Sequence, residues 1–197
     1  MPKGFLTCIG VLDADGHEVS LQNAVRYGWL KPVKAPTGWD IGTDEVPLGS
    51  NLFLDAGRQY LAYAFGYKAP VSNYAVSYFG VGTGSATPNA TDTALSNPVP
   101  LTGQTYLQLV DTVDFPAPFV ARILYTLGAG MANGYLITEF GFYSGDQTLL
   151  IHLTRVGINK TSDFAPQLAH RCRFAFPFVT WLIPAFFAAH VALHLLA

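Results

Sequence analysis

Short runs of alternating apolar and polar residues, cut by Gly, Pro or Asx about every ten residues, leave most of this chain little choice but strands. Tyr74–Val81, Thr105–Val113, Phe119–Leu127, Tyr135–Tyr143, Thr148–Leu153 and His170–Phe176 all carry β-branched or aromatic residues at a period near two. Five or six strands at that spacing predict a mainly β fold, an antiparallel β-sandwich or small barrel. One short helix is expected over Asn51–Phe65, where Leu52, Leu54, Tyr60, Leu61 and Ala64 recur at roughly helical spacing. Asn51 or Ser50 is its candidate cap, Gly57 weakens its middle, and Gly66 and Pro70 end it.

Residues 1–50 are divided so finely by Gly and Pro that they read as an extended N-terminal arm lying across a neighbour, with one hairpin turn at Asp13-Ala-Asp-Gly16 leading into Glu18–Leu21. Residues 51–176 are then the β body, and 177–197 an apolar C-terminal tail. Met1–Leu6 opens an apolar stretch too short for a signal peptide, so synthesis in a cytoplasm is the default.

Composition adds a constraint on the surface. Hydrophobic residues make up 50% of the chain and charged residues 12%, against roughly 25% charged in an ordinary soluble domain. Fourteen Phe, ten Tyr and three Trp suit faces that are covered by other proteins, because interface cores are poor in charge and rich in aromatics. A net charge of −2 with no basic run gives no pull toward nucleic acid. Cys8 and Cys172 have neither metal-ligand spacing nor a disulfide framework around them, and read as two buried thiols.

Three segments in fixed order carry a resemblance. Gly80-Val-Gly-Thr-Gly-Ser-Ala-Thr-Pro-Asn-Ala-Thr-Asp-Thr-Ala-Leu95 is a Gly/Thr loop with a Pro and an Asp-Thr-Ala-Leu close. Gly134–Tyr143 is a strand ending Glu-Phe-Gly-Phe-Tyr, and Ser144-Gly-Asp-Gln-Thr-Leu-Leu-Ile151 turns it into an apolar strand. Together they resemble the module of tail-collar fibre and related minor structural proteins of tailed bacteriophages, over about residues 50–176. The apolar Ser96-Asn-Pro-Val-Pro100 and the long C-terminus depart from that pattern. The resemblance implies a non-enzymatic virion subunit of the neck, collar, baseplate or fibre-attachment region. Its partners would be copies of itself and neighbouring virion proteins, and its place the virion, after synthesis in the host cytoplasm. A capsid decoration protein is one alternative. A receptor- or glycan-binding module anchored by Trp29 or Trp39 is another.

The residues themselves offer no catalytic bet. The Gly80-Val-Gly-Thr-Gly84 run lacks the third Gly of a dinucleotide loop and the Lys-Ser/Thr of a phosphate loop. There is no GxSxG and no HExxH. His190 and His194 sit four apart without a third ligand beside them. Glu139 is expected to be a hydrogen-bonded structural carboxylate or the partner of Arg122 or Arg155. No cofactor or metal is expected.

The working surfaces are therefore sought in the loop (Gly82, Thr83, Asp92) and in the tail (Trp181, Phe186, Phe187). No charged residue follows Arg173. Pro177 and Pro184 leave about twelve residues for a terminal helix, short for a membrane span, so burial between subunits is favoured over membrane contact.

Overall fold

A computed structural model describes residues 3–13, 15–34, 45–66, 74–117 and 120–173. The expected β fold is there. Ten strands pair antiparallel in the order β4-β3-β8-β9-β2-β1-β10-β7-β6, with β5 on β3. They are β1 (Lys3–Asp13), β2 (Val46–Phe53), β3 (Val76–Gly82), β4 (Pro98–Val99), β5 (Gln108–Leu109), β6 (Thr112–Ala117), β7 (Val120–Thr126), β8 (Leu136–Ser144), β9 (Leu149–Asn159) and β10 (Phe164–Arg173).

Two bent segments turn this ribbon into a ring. β2 pairs with β1 through Val46–Asn51 and with β9 through Leu52 and Phe53. On the opposite side Gln108 and Leu109 pair with β3, and two residues later the Asp111 N–H donates to the Leu124 carbonyl beside β7. The chain from 108 to 117 therefore closes the sheet, and the result is a flattened barrel. Across its interior the Tyr125 ring lies 4.6 Å from Phe79 and 5.2 Å from Phe142. Phe142 is fully buried, so Phe142→Ala is expected to cost about 3–5 kcal/mol in urea denaturation. A loss below about 1 kcal/mol would contradict this packing.

The arm expected over 1–50 is not an arm where it is described. β1 lies between β2 and β10, paired to β10 from Lys3↔Arg173 to Asp13↔Phe164. Its Leu6, Cys8 and Val11 are fully buried, and burying them against both halves of the barrel outweighs the disruption from Gly4 and Gly10. The expected turn forms: the Gly16 N–H donates to the Asp13 carbonyl, Val19 bonds back to Val11, and Gly16 has φ +83°. The returning chain makes one antiparallel bridge, Leu12↔Glu18, and then enters a helix at Leu21. α1 (Leu21–Arg26) is capped by Ser20, which accepts from the Asn23 N–H.

Helix α2 spans Asp55–Gly66, later than expected because Asn51–Phe53 belong to β2. Gly57 has a packing reason: a Cβ there would stand 2.5 Å from the Leu150 carbonyl oxygen of β9. Cys8 is a free thiol, pushed up to about 12 by burial. Cys172 faces Gly4, whereas Cys8 faces Leu168. Four strand residues separate those positions, ~13 Å, too far for a disulfide. Among the described residues no helix is long and apolar enough to cross a membrane.

Candidate functional site

A bulge decides where the polar centre lies. Strict alternation along β8 sets Ile137 and Glu139 on one face and Phe140 on the other. The pairing with β9 shifts register between Ile137 and Glu139 and again between Phe142 and Tyr143, where Leu150 is the extra residue that brings His152 to the Glu139 face; Ile137, Phe140 and Phe142 all enter the main core. Glu139 instead turns to the barrel's outer side, toward the loop over residues 83–97. Register places Gly141 opposite His152 and Glu139 opposite Thr154, which makes Glu139 and His152 diagonal neighbours. Leu54, Leu95, Tyr143 and Leu149 form a small second core beside them.

Glu139 is fully buried, and His152 is 2% exposed. One carboxylate oxygen, Oε1, accepts from the Ser96 N–H and hydroxyl, both at 2.7 Å, and from His152 Nε2 at 2.9 Å. The other, Oε2, accepts from the Asn97 N–H at 3.1 Å and the Gly84 N–H at 3.3 Å. The second ring nitrogen, Nδ1, lies 2.7 Å from Asp92 Oδ2. Burial raises the Glu139 carboxyl, but Ser96, Asn97 and His152 together outweigh it and hold the group below its ordinary value. Asp92 is lowered first by the Asn89 N–H, then by His152. Both carboxylates thus favour the ionised form, which can only accept, so a ring can pair with both at once only by donating from both nitrogens, as an imidazolium.

The Gly-Thr-Gly motif makes sense around this carboxylate. None of Gly80, Gly82 and Gly84 has positive φ; the positive-φ glycines described are Gly16, Gly28, Gly103 and Gly134. The loop glycines are there for room. A Cβ on Gly82 or Gly84 would collide with Glu139 Oε2, and on Gly82 also with the Asn97 carbonyl oxygen at 2.6 Å. Thr138 Oγ1 donates to the Gly84 carbonyl at 2.8 Å, and the Thr83 N–H to the Asn97 carbonyl at 2.9 Å. Leu95 anchors the loop's far end in the second core at 6% exposure. Asp92 does not cap a helical turn; its Oδ2 accepts from the Asn89 N–H at 2.8 Å, closing the tip on itself.

Of the residues singled out from sequence, Gly82 and Asp92 meet at this centre, and Thr83 lies beside it. Gly82 is buried, and Asp92 is tied to His152. Both therefore position the loop; its exposed positions include Ser85, Ala86, Thr87, Asn89, Thr91 and Thr93. Trp181, Phe186, Phe187, Trp39 and the His190/His194 pair lie outside the described residues. Glu139 is the expected structural carboxylate, but its ionic partner is His152 and not an Arg. Arg122 binds Asp114, with Nε 2.9 Å from Oδ1, and Arg155 donates to the Lys31 carbonyl. Trp29 stacks on Phe164 at 4.8 Å and 5°, so one face of the ring is taken by the body. His152 and Ser96 were not singled out from sequence. For His152 the signal was the Ser144-Gly-Asp turn, which sets β8 and β9 side by side; Ser96, on the loop, had none.

No family model, no curated protein and no solved structure matches this chain. What the centre can do therefore has to be read from its atoms. Nucleophilic catalysis needs a hydroxyl or thiol beside a free base. Here the Ser96 hydroxyl donates to Glu139, and both nitrogens of His152 face carboxylates. The order is acid–imidazole–acid, with the Ser96 hydroxyl and both ring nitrogens on carboxylate oxygens. Lys160, fully buried, is likewise engaged, donating to the Ala129 and Thr161 carbonyls and to Asn133 Oδ1. A groove of about 860 Å³ between α1 and β1 has, among the described residues, Glu18 and Glu45 as the ionisable side chains in its lining. The Asp13, Asp15 and His17 group closes a turn, with Asp13 Oδ1 accepting the N–H groups of the other two.

Proposed function

We propose that the chain is a structural subunit of a tailed-phage particle, of the neck, collar, baseplate or fibre-attachment region, and works by docking against copies of itself and neighbouring virion proteins. One observation carries the reading. In a chain that is 12% charged, Tyr106, Leu109, Val113 and Phe115 are 44%, 59%, 39% and 77% exposed. Leu109, Val113 and Phe115 lie on the segment that closes the barrel, and Tyr106 comes just before it. They are four of the eight large apolar side chains exposed among the described residues. Side chains of this kind, close together along one stretch and interleaved with Asp111 and Asp114, suit a protein interface with apolar anchors and a polar rim. The ordered trio of motifs supports the phage assignment, and the engaged state of Glu139, His152 and Ser96 supports scaffolding over catalysis.

Capsid decoration is the same chemistry at another address. A glycan-binding role gains nothing from Trp29, whose ring is partly spent on Phe164.

Phe115→Asp tests the reading without touching the core. A charge at a well-packed interface position is expected to weaken self-association by about 2 kcal/mol or more, roughly thirtyfold, read as a shift toward monomer in native mass spectrometry. Unchanged oligomers in both Phe115→Asp and Leu109→Asp would remove this segment from the interface.

A further inference from the structure

The two carboxylates on His152 are held very differently. Glu139 is gripped by the Ser96 N–H and hydroxyl and by the Asn97 and Gly84 N–H groups, and has nowhere to go. Asp92 is 28% exposed and has one other donor, the Asn89 N–H of its own turn. Beyond that turn, the tip around it is tied to the body by the Asp55 N–H donating to the Ala90 carbonyl.

We propose that His152 is a proton-gated latch: its imidazolium ties Asp92 and the loop tip around it, residues 89–93, to the barrel, and loss of one ring proton releases Asp92 and loosens the tip, leaving it on the bond from the Asp55 N–H to the Ala90 carbonyl. A neutral ring donates from a single nitrogen and turns a lone pair on the other carboxylate. If the lone pair faced Glu139, a buried and immobile charge would be left against it. Facing Asp92 instead costs less, because Asp92 can swing into water. The base of the loop stays in place, since Gly84, Ser96 and Asn97 remain on Glu139.

The charged and titratable groups around the ring are few among the described residues. β8 contributes Glu139 and Tyr143, and the latter is pushed up to about 12 by burial and by the Glu139 charge. The loop contributes Asp92. The first turn of α2 carries Asp55, paired with Arg58. The β2 residue opposite His152 is Leu52, which is uncharged.

The latch deepens the assembly reading by making presentation of the loop depend on pH, but its own test is independent of that reading. The experiment is ¹⁵N–¹H NMR of the full chain from about pH 5 to about pH 9, spanning imidazole titration. It follows the His152 ring nitrogens together with amide protection corrected for intrinsic exchange. The expected result is a doubly protonated ring at the acid end. Protection at Thr91 and Asp92, whose N–H groups donate to Asn89, then falls at least tenfold as the ring loses a proton, while β8 and β9 amides hold. Asp92→Asn, whose amide a neutral ring can satisfy, is expected to abolish that step, as is His152→Gln. Flat tip protection in the unaltered chain, a singly protonated ring at the acid end, or the same step in Asp92→Asn would overturn the latch. Native mass spectra taken along the series address assembly separately. Oligomers that persist while the tip is released support the latch and take the tip out of the interface.

Discussion

Replacing Glu139 by Ala is expected to destabilise the protein by about 3–5 kcal/mol, the range for removing one partner from a buried ion pair. The change strands the N–H groups of Gly84, Ser96 and Asn97 and leaves the His152 ring, 2% exposed, against Asp92 alone. Total stabilities run to only about 5–15 kcal/mol, so the loss would be plain in a urea transition. Glu139→Gln, which keeps the shape and one acceptor, is expected to lose less. Acid should reproduce part of the effect. Because the folded Glu139 carboxyl lies below its ordinary value, its stabilisation is complete above the unfolded titration at about pH 4.3. It is lost as pH falls through the folded value. Glu139→Gln should therefore show a shallower acid decline than the unaltered chain. A cost under about 1 kcal/mol for Glu139→Ala would mean that the loop is held by something else.

Gly82→Ala is the second large effect, expected near 3 kcal/mol, at the upper end of overpacking costs. The added methyl would press on the Glu139 carboxylate and stand 2.6 Å from the Asn97 carbonyl oxygen, a backbone atom with little freedom to retreat. The two substitutions act on one carboxylate, so their costs should not add. With Glu139 already Ala, Gly82→Ala should cost distinctly less, a coupling that a double-mutant cycle measures. Gly130→Ala is the control, because a Cβ there meets nothing within 4 Å, and its effect should fall within about 0.5 kcal/mol. Full additivity at 82 and 139 would break the link between the Gly-Thr-Gly run and the buried acid.

The strands were legible because alternation and turn residues are local signals. Tyr74–Val81 and Tyr135–Tyr143 from pattern match β3 and β8 closely. So was the structural standing of Glu139, an acid among apolar strand residues. Features set by distant partners were not legible. Lys3–Asp13 looked like an arm because nothing nearby in sequence reveals Phe164–Arg173, its partner. The ring closure depends on a bend at Val110 and Asp111 that serves two different neighbours. α1 is six residues long, too short to show a helical period. His152 remained one histidine among five because its pairing with Glu139 depends on the extra residue at Leu150, a bulge that shifts the face of the β9 residues beyond it.

The central claim is that a chain this poor in charge keeps its exposed apolar segment out of water by docking against sister subunits. Sedimentation velocity of the full chain over a wide concentration range tests it most directly. The expected result is a discrete oligomer that survives dilution and shifts toward monomer when Phe115 becomes Asp. A soluble, monodisperse single chain at the highest concentration reached would contradict it.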